Sequence, residues 1–226
     1  MIQSSDFQIC GAIQMSSARK QKMTPVEYLA FERASHERHM YWRGEVFGMS
    51  GASRQHVKIA GNTFYQIRKA FDDSDCEVMQ SDMRVKNHRT GSYYYPDIVA
   101  TCQSPKFEDK EFDTLINPQV IIEILSKSTE SFDRGAKFQD YQRLDSLKEY
   151  VLISQNTMCV ERYTRSGDAT WEYCTAKLPE DKLMLNSIDV QISLSDIYSK
   201  VEFETEENND GDLKVAEEKA EFRVPG

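Results

Sequence analysis

Apolar positions divide the chain into alternating helical and extended segments. Val57, Ala60, Phe64, Ile67 and Phe71 recur at intervals of three and four, the repeat of a helix with one buried face. An earlier helix is expected at "TPVEYLAFERAS", where Thr24 caps, Pro25 takes the first helical position and Glu27 completes a capping box. A strand is expected around residues 45–49, after Gly44, and another in "CEVMQSDMRVKN", broken near Ser81-Asp82. "NHRTG" reads as a turn and "QSPKFEDKEFDTLINP" as a polar loop. Two runs, "PDIVATC" and "QVIIEILS", are continuously apolar and read as buried strands, the second a central one. "STESFDRGAKFQDYQRLDSL" is expected to be a helix capped near Ser131 or Asp133, followed by the strand "KEYVLIS". "CVERYTR" and "TWEYCTAK" flank Ser166-Gly167-Asp168 as a hairpin, and "SIDVQISLSDIY" closes the globular part. Helix, strand, helix, several strands, helix and strand, with a β-rich end, imply an α/β protein with a mixed central β-sheet flanked by helices.

This pattern places one domain at residues 22–203. Residues 1–21 are polar and aperiodic and are expected to be loosely ordered; residues 204–226 are acidic, poor in apolar residues, and are expected to be a disordered tail. The formal net charge is −9, and the last segment, with eight acidic and three basic residues, contributes −5 of it. Such a balance excludes general attraction to nucleic acid, so any nucleic-acid role needs a local basic groove or bound cations. Five scattered cysteines, none in a C-x-x-C pair, argue against a disulfide framework or structural zinc and read as free thiols in a reducing cytosol. No signal-peptide pattern and no apolar run long enough to span a membrane are present. A soluble, cytoplasmic protein is expected.

Candidate chemistry lies in the two buried strands. Asp97 stands at the mouth of the first, and Glu123 sits inside the second among Val120, Ile121, Ile122, Ile124 and Leu125. A charge in such a run costs free energy unless it is paired or bound to a cation. One reading is a single buried ion pair, or an edge strand with Glu123 facing water. The other is a hard-cation site, because magnesium takes oxygen ligands, often one or two carboxylates plus waters. If the strands are neighbours, Asp97, Glu123 and the Ile124 carbonyl would be its ligands.

"PD" at 96–97, then "EILSKST" from Glu123, then "DRGAK" ending at Lys137, resembles the PD-(D/E)XK nuclease superfamily. More narrowly, "MTPVEYLAFE", "RGEVFGMSGAS", "PDIV", "IEILSKST", "DRGAKFQDY" and "EYVLI" together resemble the Uma-two family of restriction-endonuclease-like proteins, from about Met23 to about Tyr198. The resemblance implies a restriction-endonuclease-like fold and magnesium-dependent cleavage of phosphodiester bonds; manganese is the alternative ion. The superfamily places a lysine two residues after the acidic residue, where this chain has Leu125. The related members place it on the following helix, which matches Lys137. Asp133, Lys137 and Tyr141 are four apart and share a helix face, so Lys137 reaches the site if that face packs over the Glu123 strand. Otherwise it is an exposed lysine paired with Asp133 or Asp140. Lys127 stands where the family often has proline. Glu45, in "RGE", matches an early acidic position and reads as a third carboxylate or a strand-end surface residue. His56 also matches, and reads equally as a helix cap. Asp82, His36 and His39 read as solvated surface, and Trp42 and the tyrosines as core or interface.

The expected function is therefore a magnesium-dependent DNA endonuclease. Asp97, Glu123, Lys137 and Glu45 would be its catalytic residues, with His56 and Tyr141 supporting them. The alternative is a catalytically inactive nuclease-fold protein that binds nucleic acid or protein. The resemblance also implies a homodimer, and no membrane partner is expected.

Overall fold

The structure, a computed structural model, describes residues 22–49 and 51–203; the expectations for 1–21 and 204–226 lie outside them. Helix α1 (Pro25–Ala34) starts as its sequence predicts. The Thr24 side chain accepts the Glu27 N–H while Glu27 reaches back to the Thr24 N–H. Strands β1 (His39–Trp42) and β2 (Glu45–Gly48) form a hairpin. Arg43 (φ 52°) and Gly44 (φ 88°) make its two-residue turn, the left-handed geometry that matches strand twist. The sequence reading found β2 and missed β1.

Helix α2 (Arg54–Ala70) is capped by the Ser53 hydroxyl, which accepts the His56 N–H. Its buried face is Ile59, Thr63 and Ile67, with Ala60 and Phe64 packed alongside; Val57 is exposed, so the face is rotated from the predicted stripe. Strands β3 (Glu77–Gln80), β4 (Arg84–Asn87), β5 (Ser92–Tyr94), β6 (Ile98–Thr101), β7 (Thr114–Leu115) and β8 (Val120–Leu125) follow. The break at Ser81-Asp82 is a change of sheet. β4 joins a five-stranded sheet in the order β2-β1-β5-β4-β7, whereas β3 joins a six-stranded one.

After β8 come three short segments: α3 (Glu130–Phe132), a π-helical turn at Asp133–Lys137, and α4 (Phe138–Tyr141). This is shorter than the predicted helix, and neither Ser131 nor Asp133 caps it. It begins after Thr129, without a side-chain cap. Strands β9 (Glu149–Ser154), β10 (Val160–Arg165) and β11 (Trp171–Ala176) complete the larger sheet, in the order β11-β10-β9-β8-β6-β3. A small hairpin, β12 (Lys182–Leu185) and β13 (Val190–Ser193), and the turn α5 (Leu194–Ile197) close the described chain.

Strand alternation assigns the two faces of the larger sheet. Ile98, Ala100, Ile122, Ile124, Val151 and Ile153 pack with α2 and the closing hairpin. Val99, Ile121, Leu125, Tyr150 and Leu152 pack with Phe138, Tyr141, Leu144 and Leu147 and with Val85, Tyr94 and Leu115 of the smaller sheet. Every residue of β8 is buried, because both faces are covered, as its unbroken apolar run predicts. The edge-strand reading of Glu123 is thereby overturned.

Two further expectations fail. Cys76 and Cys102 are disulfide-bonded, while Cys159 and Cys174 are free. Continuing the β3–β6 register beyond Glu77↔Thr101 sets the two cysteines opposite each other, a pairing invisible without knowing which strands are neighbours. His39 is not on a solvated helix. It lies in β1, where its Nδ1 is 3.0 Å from the buried Glu32 and its N–H donates to the same carboxylate.

Candidate active site

Strand pairing brings the two predicted carboxylates together. β6 and β8 are antiparallel with Ile98 opposite Ile122, and one further step puts Asp97 opposite Glu123. β6 begins only at Ile98, so its ladder with β8 ends at Ile122 and does not reach the N–H of Ile124. Asp97 takes the place of a strand partner: its Oδ2 accepts the Ile124 N–H at 2.7 Å. Its Oδ1 is 2.9 Å from Nε2 of His56. His56 therefore has both suggested roles, since its backbone N–H meets the Ser53 cap and its ring meets Asp97.

Glu123 shares the face of Ile121 and Leu125, toward the π-helical turn. Lys137 descends from that turn and sets its Nζ 2.7 Å from Glu123 Oε1 and 3.0 Å from Asp133 Oδ1. All three are buried, with Glu123 4%, Asp133 3% and Lys137 8% exposed, so the exposed-lysine alternative fails. A π turn is costly compared with α-helix and recurs at functional sites; here it carries the lysine. The Tyr141 hydroxyl makes a longer contact, 3.4 Å, to Glu123 Oε1. Among the described residues no hydrogen bond reaches Glu123 Oε2.

Burial pushes the Glu123 carboxyl above the ordinary glutamate range; Lys137 opposes this, and Asp133 and Asp97 add to it. Burial would lower the Lys137 ammonium, but Glu123 and Asp133 outweigh it and hold it above the ordinary lysine value. The two effects pull the pair in opposite directions. One ammonium shared by two carboxylates at contact distance stays charged, and Glu123 is the member that more readily gives up its charge. Two carboxylates thus share one lysine and a third, Asp97, lies on the strand beside Glu123, a local excess of negative charge that an added cation would relieve.

The other candidates are peripheral. Glu45 heads β2 opposite Trp42, whose ring packs on Phe132 next to Asp133; among the described residues it has no ion pair with Asp97, Glu123 or Lys137. Lys127 is exposed in the turn after β8. Asp82 pairs with Arg38 on the surface. Tyr93, Tyr94 and Tyr95 are core, as expected. Asp133 was recognised in the sequence only as a helix neighbour of Lys137; its burial is what makes it part of the site.

Among the described residues no group of three or more His, Cys, Asp or Glu side chains is arranged to hold a metal. The donors present are all oxygen: Asp97, Glu123 and the Ile124 carbonyl. That set fits magnesium, which keeps several waters and needs only one or two carboxylates.

A family model described as "Putative restriction endonuclease", Uma2, matches residues 25–195. The chain is 32% identical over 187 residues to "Uncharacterized protein slr1290" of Synechocystis sp., covering 83% of this chain and 97% of that one. To "Uncharacterized protein sll1609" of the same organism it is 35% identical over 149 residues, covering 66% and 84%. A crystal structure of "a putative nuclease belonging to DUF820" from Anabaena variabilis superposes with a TM-score of 0.64 at 17% identity, over 78% of this chain and 98% of that one. The last likeness is one of fold, and it bears out the restriction-endonuclease-like architecture.

Proposed function

The chain belongs to the Uma2 restriction-endonuclease family, and from that premise we propose that it hydrolyses phosphodiester bonds of DNA with the help of magnesium. The observation that carries this reading is Lys137 Nζ at 2.7 Å from Glu123 Oε1, on the strand neighbouring Asp97. Asp97, Glu123 and the Ile124 carbonyl would hold the ion. When bound, it would polarise the phosphate and lower the pKa of a coordinated water.

The chain's own residues then have separable tasks. His56 and the Ile124 N–H orient Asp97 through its two oxygens. Asp133 accepts from the Lys137 ammonium and steadies it beside Glu123, and the Tyr141 hydroxyl abuts Glu123. The Lys137 ammonium is placed to neutralise charge that develops on the scissile phosphate, or to position the attacking water. Glu45 would assist only through water or a second ion. The buried walls of Ile121, Leu125 and Tyr150 keep the local dielectric low, which strengthens each of these interactions.

The test is cleavage of supercoiled plasmid in magnesium or manganese, with Asp97→Ala and Glu123→Ala alongside. The parent should nick the plasmid and each variant should lose at least ~100-fold in rate, the scale of removing one transition-state stabiliser. Variants that cut as fast as the parent would remove these residues from the site. A parent that leaves the supercoiled plasmid intact with either ion would remove the reaction.

A further inference from the structure

A polar cleft opens beside the candidate site and has no part in the chemistry above. It encloses about 320 Å³ and is lined by Ser53, Gln55, Gln155 and Asn156. Two distant stretches of chain build it: the first turn of α2, and the turn that follows β9. A single hydroxyl joins them. Ser53 Oγ accepts the His56 N–H at 3.1 Å and donates to Gln155 Oε1 at 2.5 Å. The same helical turn therefore sends His56 to Asp97 and holds one wall of the cleft. The sheet register gives the separation independently. Glu123 pairs with Leu152 in the parallel β8–β9 ladder, and Gln155 lies three residues further on. That is ~10 Å along the strand, within reach of a nucleotide next to one whose phosphate meets Glu123.

The lining decides the ligand class. None of the four described lining residues is cationic, so they do not supply what phosphate binding requires. None has an apolar or aromatic side chain, so no ring or branched aliphatic group stands ready to pack on a greasy ligand. What the cleft offers is neutral amides, each carrying both a carbonyl acceptor and an NH2 donor pair. Gln155 spends its carbonyl on Ser53, which leaves its Nε2 donors for a ligand. The side chains of Gln55 and Asn156 have no hydrogen-bond partner among the described residues. Amides of this kind are the side chains that read base edges, where donors and acceptors alternate. The volume is at the small end for ligand sites, suited to one base and not to a stretch of strand.

We propose that this cleft is a base-reading subsite: it takes the polar edge of a nucleobase adjoining the scissile phosphate, and Gln155 donates to an acceptor on that edge. The proposal rests on the nuclease reading and adds to it a source of sequence preference.

The experiment maps cut positions on a randomised DNA substrate by sequencing, for the parent, Gln155→Ala, Gln155→Glu and Asn156→Ala. Anisotropy titration of labelled oligonucleotides gives affinity. Gln155→Glu keeps the side chain's size and its acceptor toward Ser53 but removes the donor pair, so it guards against a folding artefact. The parent should favour one or two bases at a position flanking the cut. Gln155→Ala and Gln155→Glu should flatten that preference and weaken binding of the favoured sequence ~10-fold, the scale of one base contact. Unchanged preference in the variants, or a parent that cuts without any flanking preference, overturns the subsite and leaves the nuclease intact. A parent that neither binds nor cuts DNA overturns both.

Discussion

Replacing Lys137 by methionine tests the site without assuming any reaction. The side chain stays unbranched, keeps most of its length and loses its charge, leaving Glu123 and Asp133 buried without their shared ammonium. The ammonium lies 2.7 and 3.0 Å from the two carboxylates. At an effective dielectric of 20 those contacts correspond to roughly 6 and 5.5 kcal/mol of gross attraction. Most of that gain is offset by removing three charges from water. What a variant reveals is the cost of stranding the partners, commonly about 3–5 kcal/mol for a buried pair. Glu123 already has a raised proton affinity from burial and can shed its charge, so the loss belongs at the lower end, about 3 kcal/mol. For a domain of this size that is a fall of ~6–12 °C in Tm. Urea unfolding followed by tryptophan fluorescence gives the number directly. Added magnesium should restore part of the loss in the variant, because a cation held by Asp97 and Glu123 would offset charge that the ammonium no longer does. A Lys137→Met protein within ~0.5 kcal/mol of the parent, the range of ordinary surface substitutions, would refute the buried ion triad.

Two other features predict measurable behaviour. Arg33, with Arg84 and Thr114 adding to its effect, holds the Asp113 carboxyl well below the ordinary aspartate range. A depressed folded pKa contributes stability above the unfolded value of about 3.9 that is lost as pH falls below it. Asp113→Asn should therefore cost ~1 kcal/mol at pH 7, discounted because the group is partly solvated, and the gap to the parent should narrow steadily as pH falls below about 4 in urea titrations. The Cys76–Cys102 bridge closes a loop of 26 residues, worth roughly 3 kcal/mol by loop entropy. A reductant should lower the parent's urea midpoint accordingly and leave a Cys76→Ser, Cys102→Ser double variant unmoved; equal sensitivity of both would sink this estimate.

Much of the fold was legible because its central strands are buried on both faces. β6, β8 and β9 read directly as apolar runs, and α1 announced its own cap. β1 was missed because "HMYW" is short, half-buried, and identifiable as a strand only through its pairing with β2. The π turn was missed for a similar reason: "DRGAK" has an ordinary helical spacing, and the wider turn follows from packing against the sheet. Glu123 was conspicuous as the charge inside an apolar strand. Lys137 was suggested by resemblance and by its spacing from Asp133 and Tyr141, but its burial depends on the helix lying over β8, which no local pattern records. The cysteine bridge and the Ser53–Gln155 cleft join residues 26 and 102 positions apart, beyond the reach of any periodicity.

The parallel pairing of β8 with β9 obliges the chain to cross the sheet between them, and that crossing delivers Lys137 to Glu123. The acid and its lysine are thus coupled through a connection, not through the two-residue repeat of one strand. Leu125, at the position where a strand-borne lysine would stand, is free to be apolar and to seal the core. Insertions or deletions in the connection could change the sequence distance between acid and lysine while the contact itself is kept. A motif written with a fixed gap would then pass over relatives that retain the same chemistry, whereas one that allows the gap to vary and demands a parallel strand after it would find them.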